Sequence, residues 1–263
     1  MDSLTEKQLT FWKNNSYLSI ENLFGNEIKG ISSWVNEISL WPDNNSKWIT
    51  NYEFEKPHLL SRRENFCPYH EKLDNILRGE KIINIISKLM GEEAALYKDR
   101  INFKYPGGGP HAAHQDGIAY ETKINSFFNP ELNPYISVLI SIDKATEENG
   151  CLEIVPDWNG DKLDILRMES PFPDRPEYRK IAKSIEDSLY WEKIPTSPGD
   201  ALFFTERLPH RSQKNNSNKT RRILYGVYNP LSEGDKRESY FSRKKLNLND
   251  PQYMIGNPHK KID

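Results

Sequence analysis

The chain has 263 residues, with 36 Lys and Arg against 38 Asp and Glu and a net charge of −2 at pH 7. That balance excludes the basic footprint of a nucleic-acid protein, and the run Arg243-Lys244-Lys245 is too short to neutralise several phosphates. The length suits a single domain spanning 1–263; only 36% of residues are hydrophobic, but 11% are aromatic, and aromatics bury large areas each. Two cysteines, Cys67 and Cys151, imply no disulfide framework and fit a reducing, cytoplasmic setting. The start, Met1-Asp-Ser-Leu, has no apolar signal-peptide core, and no run is long and apolar enough to span a membrane.

In chain order, residues 1–93 read as mainly helical. Ser3-Leu-Thr-Glu6 fits a capping box that opens a helix to about Asn14. Tyr17 to Ile20 reads as a short strand. A second helix runs from about Asn26 to Leu40, with Ile28, Ile31, Trp34, Val35 and Ile38 on one face, and Pro42 ends it. Residues 43–64 predict a loop with one or two weak strands. Two helices follow, about Pro68–Leu77 and Glu80–Met90, the second capped by Gly91.

Strands dominate from 94 to 229: Ala94–Tyr105, Asn133–Ile142, Leu152–Pro156, Leu189–Pro195, Ala201–Thr205 and Arg222–Tyr228. Asn149-Gly150 and Pro198-Gly199-Asp200 mark tight turns between them. Residues 157–188 form the least regular long stretch, an insert of the kind that acts as a lid. Residues 230–263 are polar and read as a C-terminal flap. Helices followed by many strands give an α+β, mainly β class, with an antiparallel barrel or sandwich as the core.

The chemistry concentrates after the first long strand, in Gly107-Gly-Gly-Pro-His-Ala-Ala-His-Gln-Asp116. His114 and Asp116 are two residues apart, so an extended backbone points both to one side. A third ligand is available far downstream in His210, which follows the apolar run Ala201–Thr205. Two histidines and one carboxylate with open positions form the facial triad of non-heme Fe(II) oxygenases. His114, Asp116 and His210 are therefore the expected metal ligands and catalytic centre. His58, His70 and His259 read as ordinary histidines, while His111 lies close enough to the motif to touch a substrate. Arg221 and Arg222 begin another apolar strand, and alternation lets only one of them face inward, without saying which.

With these residues in view, the chain resembles the phytanoyl-CoA dioxygenase superfamily from about Leu9 to about Asn229. Four blocks carry the resemblance: Lys104-Tyr-Pro-Gly-Gly-Gly109, His114-Gln-Asp116, Glu148-Asn-Gly-Cys-Leu-Glu-Ile-Val-Pro156, and His210 through Arg221 with Ser212 and Asn215 at matching spacing. The family's Pro-Gly-Ser-His is replaced by Pro156-Asp-Trp-Asn-Gly160, in a loop beside the site. The resemblance implies a double-stranded β-helix (jelly-roll, cupin-like) core with the N-terminal helices outside. It also implies Fe(II), 2-oxoglutarate as cosubstrate and O2, used to hydroxylate an unactivated C–H bond. A carboxylate at Asp116, where halogenating relatives carry a small residue, speaks against halogenation.

On that resemblance Arg221 binds the distal carboxylate of 2-oxoglutarate, since a guanidinium fork meets a carboxylate bidentately. Asn102 and Lys104 share a strand face near the motif and join it. Ser212 and Asn215 shape the loop after His210. The blocks around Asp99–Gly109, Ala113–Asp116 and Ala145–Glu153 look most like the branch acting on 2-aminoethylphosphonate. The substrate implied is a small zwitterion, 2-aminoethylphosphonate or an N-methylated analogue, with a free amino acid or other small amine as the alternative. Lys104 with Arg62 or Arg63 would clamp a phosphonate, and Tyr120 and Glu206 would meet an ammonium. The enzyme would act as a monomer or homodimer without nucleic-acid or membrane partners. A rival of another class is a non-catalytic ligand-binding protein on the same barrel.

Overall fold

The computed structural model describes residues 4–120, 132–158, 165–170 and 178–256. Helix α1 (Glu6–Asn15) opens on Thr5, whose side chain accepts from the Gln8 amide while Gln8 Oε1 accepts from the Thr5 amide. The capping box thus sits two residues later than expected; Ser3 lies outside the described residues. Strand β1 (Tyr17–Ile20) and helix α2 (Ile28–Ser39) follow, with Ile31, Val35 and Ile38 of α2 buried. Strands β2 (Ile49–Tyr52) and β3 (Leu60–Glu64) occupy the stretch that predicted one or two weak strands. Helices α3 (Glu71–Leu77) and α4 (Glu80–Met90) come next. Gly91 ends α4 at φ +93°, a left-handed conformation that glycine takes without steric cost. His70 caps α3 by accepting from Leu73 N, an ordinary structural role.

The strand-rich part runs β4 (Ala94–Lys104), β5 (His111–His114), β6 (Ile136–Ser141), β7 (Leu152–Ile154), β8 (Met168–Glu169) and β9 (Lys180–Ile181). After the short helix α5 (Lys183–Glu186) come β10 (Glu192–Ile194), β11 (Ala201–Thr205), β12 (His210–Ser212) and β13 (Arg221–Pro230). A seven-stranded sheet has the order β1-β11-β6-β13-β4-β3-β2, and a four-stranded sheet the order β10-β7-β12-β5. The pairings within both are antiparallel. This is the jelly-roll arrangement, two facing sheets rather than a closed barrel. The Asn149-Gly150 turn, with Gly150 at φ +75°, carries the chain from the large sheet into the small one instead of closing a hairpin.

Two packed layers follow from strand alternation. Ala201 and Phe203 of β11, with Ile136, Val138 and Ile140 of β6, face the helices and join Ile82, Ile86 and Leu89 of α4 in one core. Leu202 and Phe204, with Leu139, Ile223 and Tyr225, face the small sheet and pack on Leu152 and Ile154. Each fully buried aliphatic side chain contributes roughly 1.5–3 kcal/mol, so these layers hold the sheets in register. Of the insert's described parts, β9 packs beside β5 and pairs with β8, and Glu186 of α5 bonds Arg211 of β12 at 2.8 Å. The tail expected as a flap forms helix α6 (Arg237–Leu246), which Arg237 anchors to the buried Asp99 and, at 2.8 Å, to Asn65. No helix among the described residues is long and apolar enough to cross a membrane.

Candidate active site

Strands β5 and β12 are edge-to-edge neighbours, and His114 and His210 are direct cross-strand partners. Asp116 follows β5 at the start of a short 3-10 turn. The three side chains converge: their ligand atoms all lie within 4.8 Å of one another, and all three residues are buried. Asp116 Oδ1 is 3.7 Å from His114 Nε2 and 4.0 Å from His210 Nε2.

The imidazoles are oriented by the backbone. His114 Nδ1 lies 2.7 Å from the Ala112 carbonyl and His210 Nδ1 lies 2.9 Å from the Leu208 carbonyl. A carbonyl only accepts, so each Nδ1 carries the proton and each Nε2 presents its lone pair to the centre. Burial, with His210 alongside, pulls His114 down to about 3, so its imidazole is neutral at physiological pH. Burial opposes ionisation of Asp116, but His210 and Lys98 outweigh it and hold the carboxyl below its ordinary range. Ser137 Oγ donates to Asp116 Oδ2 at 3.3 Å. Between the two ligands, Gln115 donates to the Arg207 carbonyl at 2.7 Å and so ties the motif to the loop carrying His210. Two neutral imidazole nitrogens and one hard carboxylate, each held by a further hydrogen bond, fit an Fe(II) ion with open positions.

The triad opens on a cavity whose charged wall is dominated by cations, with Arg62, Lys98, Arg100, Arg211, Arg221 and Lys244 against Glu64. Along β4 the inward positions are Lys98, Arg100, Asn102 and Lys104, and all but Lys104 line the cavity. A register slip in the β4–β13 pairing, between Val227 and Tyr228, sits opposite the start of this row. It turns Leu96 into the helix-side core although it shares parity with Lys98. Arg221 on β13 is opposite Lys104 in register, lines the cavity and is 1% exposed. Its Nη1 donates to the Gly150 carbonyl, while its Nε is buried with no hydrogen-bond partner. Arg222 points the other way, pairing with Asp143 at 2.7 Å and donating to Ser32 Oγ of α2 at 3.0 Å.

Lys104 Nζ donates to Ser212 Oγ at 2.7 Å and to the Gln213 carbonyl at 2.6 Å, beside Arg221 rather than across the cavity from it. Burial, with Arg221 opposite, pulls its ammonium well below the ordinary range. Asn215 donates to the carbonyls of Lys104 at 2.9 Å and Lys219 at 2.8 Å, shaping the loop. His111 lines the cavity and approaches Ser212 Oγ at 3.5 Å.

Of the residues expected to meet substrate, Arg62 lines the cavity and bonds Glu64 at 3.1 Å. Its neighbour Arg63 faces outward to Asp43 at 3.3 Å. Tyr120 and Glu206 are not part of the lining. Tyr120 is buried beneath Lys98, packed on Tyr97 and Tyr135, and Glu206 is fully buried beside Arg207. The turn after Asp116 directs Tyr120 behind the wall, and Glu206, just after β11, is buried there too. Lys98, Arg100 and Lys244 also line the cavity, where the sequence reading did not place them. The first two were legible in the sequence, since the period-2 row through Asn102 and Lys104 extends back to them. Nothing in the sequence pointed to Lys244, whose place depends on how α6 docks. The segment after α6 closes the site: Gln252, Tyr253 and Ile255 line it, and Gly256 packs against the His114 ring.

Fold and site together define a jelly-roll protein with a two-histidine, one-carboxylate centre in a cationic cavity. The phytanoyl-CoA dioxygenase (PhyH) family model matches residues 13–223, and the chain belongs to that family. It is 38% identical over 245 residues to a methylphosphonate hydroxylase of Gimesia maris, covering 92% of this chain and 87% of that protein. It is 35% identical over 249 residues to a 2-aminoethylphosphonate dioxygenase of an uncultured bacterium, covering 93% and 89%. Among solved structures, EctD from S. alaskensis with 2-oxoglutarate and 5-hydroxyectoine superposes with a TM-score of 0.70 at 15% identity, over 87% of this chain and 77% of that one, a likeness of fold.

Proposed function

We propose that the chain is an Fe(II)- and 2-oxoglutarate-dependent dioxygenase that hydroxylates a carbon of a small phosphonate, with 2-aminoethylphosphonate or an N-methylated analogue as first choice. The observation that carries the reading is the convergence of His114, Asp116 and His210 on a buried cavity whose wall holds six Lys and Arg side chains and, besides Asp116, one carboxylate, Glu64. Bound iron, with 2-oxoglutarate and O2, supplies the oxidising power for an unactivated C–H bond.

The chain's own residues do the rest. His114 Nε2, Asp116 and His210 Nε2 hold the metal, and the Ala112 and Leu208 carbonyls keep the imidazoles aimed. Arg221, with a buried Nε awaiting an acceptor, takes the distal carboxylate of 2-oxoglutarate. Asn102 and Lys104 flank that clamp. Residues 252–256 cover the centre and exclude water, which strengthens every charge–charge contact inside. A net positive wall suits two anions, the cosubstrate and the substrate, and two of its relatives are named for phosphonates.

The test is to incubate iron-loaded protein with 2-oxoglutarate, O2 and each phosphonate, following succinate and the phosphorus NMR spectrum. Succinate formed in step with a new hydroxyphosphonate signal is expected. Coupled succinate with a free amino acid, and none with phosphonates, would replace the substrate class. In this reading residues 1–263 work as one domain, as a monomer or homodimer, on a small molecule in the cytoplasm. The two buried, free thiols Cys67 and Cys151 suit that compartment.

A further inference from the structure

Strand β4 carries a second group of cations that the Arg221 clamp does not use. Lys104 is opposite Arg221, and Arg100 is four residues back along the strand, about 13 Å away at roughly 3.3 Å per residue. Around Arg100 the cavity wall gathers Lys98 of β4, Arg62 of β3 and Lys244 of α6. Lys98 Nζ lies 4.8 Å from the Tyr120 ring centre and 5.8 Å from that of Tyr240, and Lys244 Nζ lies 5.7 Å from the same Tyr240 ring. The Arg100 guanidinium stacks on Tyr225 at 4.6 Å, and its Nε is buried without a hydrogen-bond partner.

The acids nearby are already committed. Glu64 pairs with both Lys244 and Arg62. Asp116 is the other carboxylate among the described residues of the lining, and it faces the two histidines. Lys98 and Arg100 thus rest on ring faces and share Asp116, which is turned to the two histidines, as their main counter-charge, so the wall keeps positive charge for an incoming anion.

We propose that Lys98 and Arg100, backed by Lys244 and Arg62, form the subsite for the substrate's phosphonate group. This rests on the hydroxylase reading above. Cations from three separate elements approach from different directions, which matches three oxygens on a tetrahedral phosphorus better than the two coplanar oxygens of a carboxylate. The subsite lies near the middle of β4, and the cosubstrate clamp at its C-terminal end. The two anions therefore bind without exchanging places. The same cavity wall carries His114, Asp116 and His210, so a phosphonate held at Lys98 and Arg100 presents its carbon within the space that the metal ligands face.

The experiment measures binding without turnover. Protein loaded with Fe(II) and 2-oxoglutarate is titrated anaerobically with methylphosphonate and with 2-aminoethylphosphonate by calorimetry. 2-Oxoglutarate affinity is measured separately. In Arg100→Gln and in Lys98→Met the phosphonate dissociation constant should rise about tenfold or more, as for a lost charge-assisted contact, with 2-oxoglutarate affinity held within about threefold. Acetate and β-alanine should bind wild type at least about tenfold more weakly than their phosphonate counterparts. Phosphonate binding unchanged in both variants overturns the subsite, as does an equal loss of 2-oxoglutarate affinity, or carboxylates binding as tightly as phosphonates. Should Arg100→Gln not fold by circular dichroism, Lys98→Met and Arg100→Lys decide, the latter keeping charge but losing the fork. If wild type neither binds nor oxidises any phosphonate, the hydroxylase reading falls as well. If it oxidises them while the variants bind normally, only the subsite falls.

Discussion

His114 and His210 stand directly opposite each other on β5 and β12, with ring centroids 4.2 Å apart and planes at 54°. Two imidazoles this close repel when protonated and share one cation when neutral. Replacing either His210 or Asp116 with alanine should leave the circular dichroism spectrum intact. Each variant should retain under about a tenth of the wild-type iron, because a facial triad has no spare ligand. Metal analysis after anaerobic loading and desalting checks this. Stoichiometric iron in either variant would move the centre elsewhere.

The adjacent arginines on β13 should separate cleanly. Arg221→Ala should raise the KM for 2-oxoglutarate about tenfold or more, since a lost charge-assisted bond costs about 1.5–3 kcal/mol. Arg222→Ala should leave that KM near wild type. It should instead lower the melting temperature, because it cuts the tie from β13 to Asp143 and Ser32, at a cost of about 1–3 kcal/mol. The reverse ranking in steady-state assays would mean that Arg222 serves the cosubstrate.

The Glu64–Lys244–Arg62 cluster makes a pH prediction. Burial pushes the Glu64 carboxyl up, but Lys244 and Arg62 outweigh it and hold it below the ordinary carboxylate range. A depressed folded-state value contributes stability that is present above the unfolded value, near 4.5, and lost as pH falls through the folded one. Wild type should therefore destabilise as pH drops below about 5. Glu64→Gln should be less stable at pH 7, by about 3–5 kcal/mol for a broken buried pair, and its acid dependence should be shallower. Thermal melts from pH 7 to pH 4 test both; parallel curves would show that Glu64 is not the titrating group.

The last contact concerns Gly256. It has φ +71°, and a Cβ built there would lie 2.5 Å from His114 Nδ1, the atom bonded to the Ala112 carbonyl. Its own carbonyl accepts from Ala112 N at 2.7 Å. Gly256→Ala should therefore tilt the ligand and weaken iron binding about tenfold or more, as losses next to a metal ligand do. Competition with a metal-chelating dye measures it. An unchanged affinity would show that the tail does not hold His114.

The sequence by itself determined what depends on local chemistry and periodicity. Alternation paired His114 with Asp116. The 3.6-residue repeat placed Ile31, Val35 and Ile38 on one buried face of α2. Conformational demand marked Gly91 as a helix end and Gly150 as a turn. The four motif blocks pointed to the family that the match over residues 13–223 then established. Only the tertiary structure decided which parity faced the cavity. Arg221 turns in and Arg222 out because β13 is wedged between β4 and β6 with Ile223 and Tyr225 packed toward the small sheet. The row from Lys98 to Lys104 faces the cavity side on the same ground, yet Leu96 leaves it at a bulge that no period can anticipate. Tyr120 and Glu206 lie behind the wall and Lys244 in it, because side chains far apart in sequence meet only where helices and turns dock. Docking is set by the burial of whole faces, a sum over many residues that no local pattern contains.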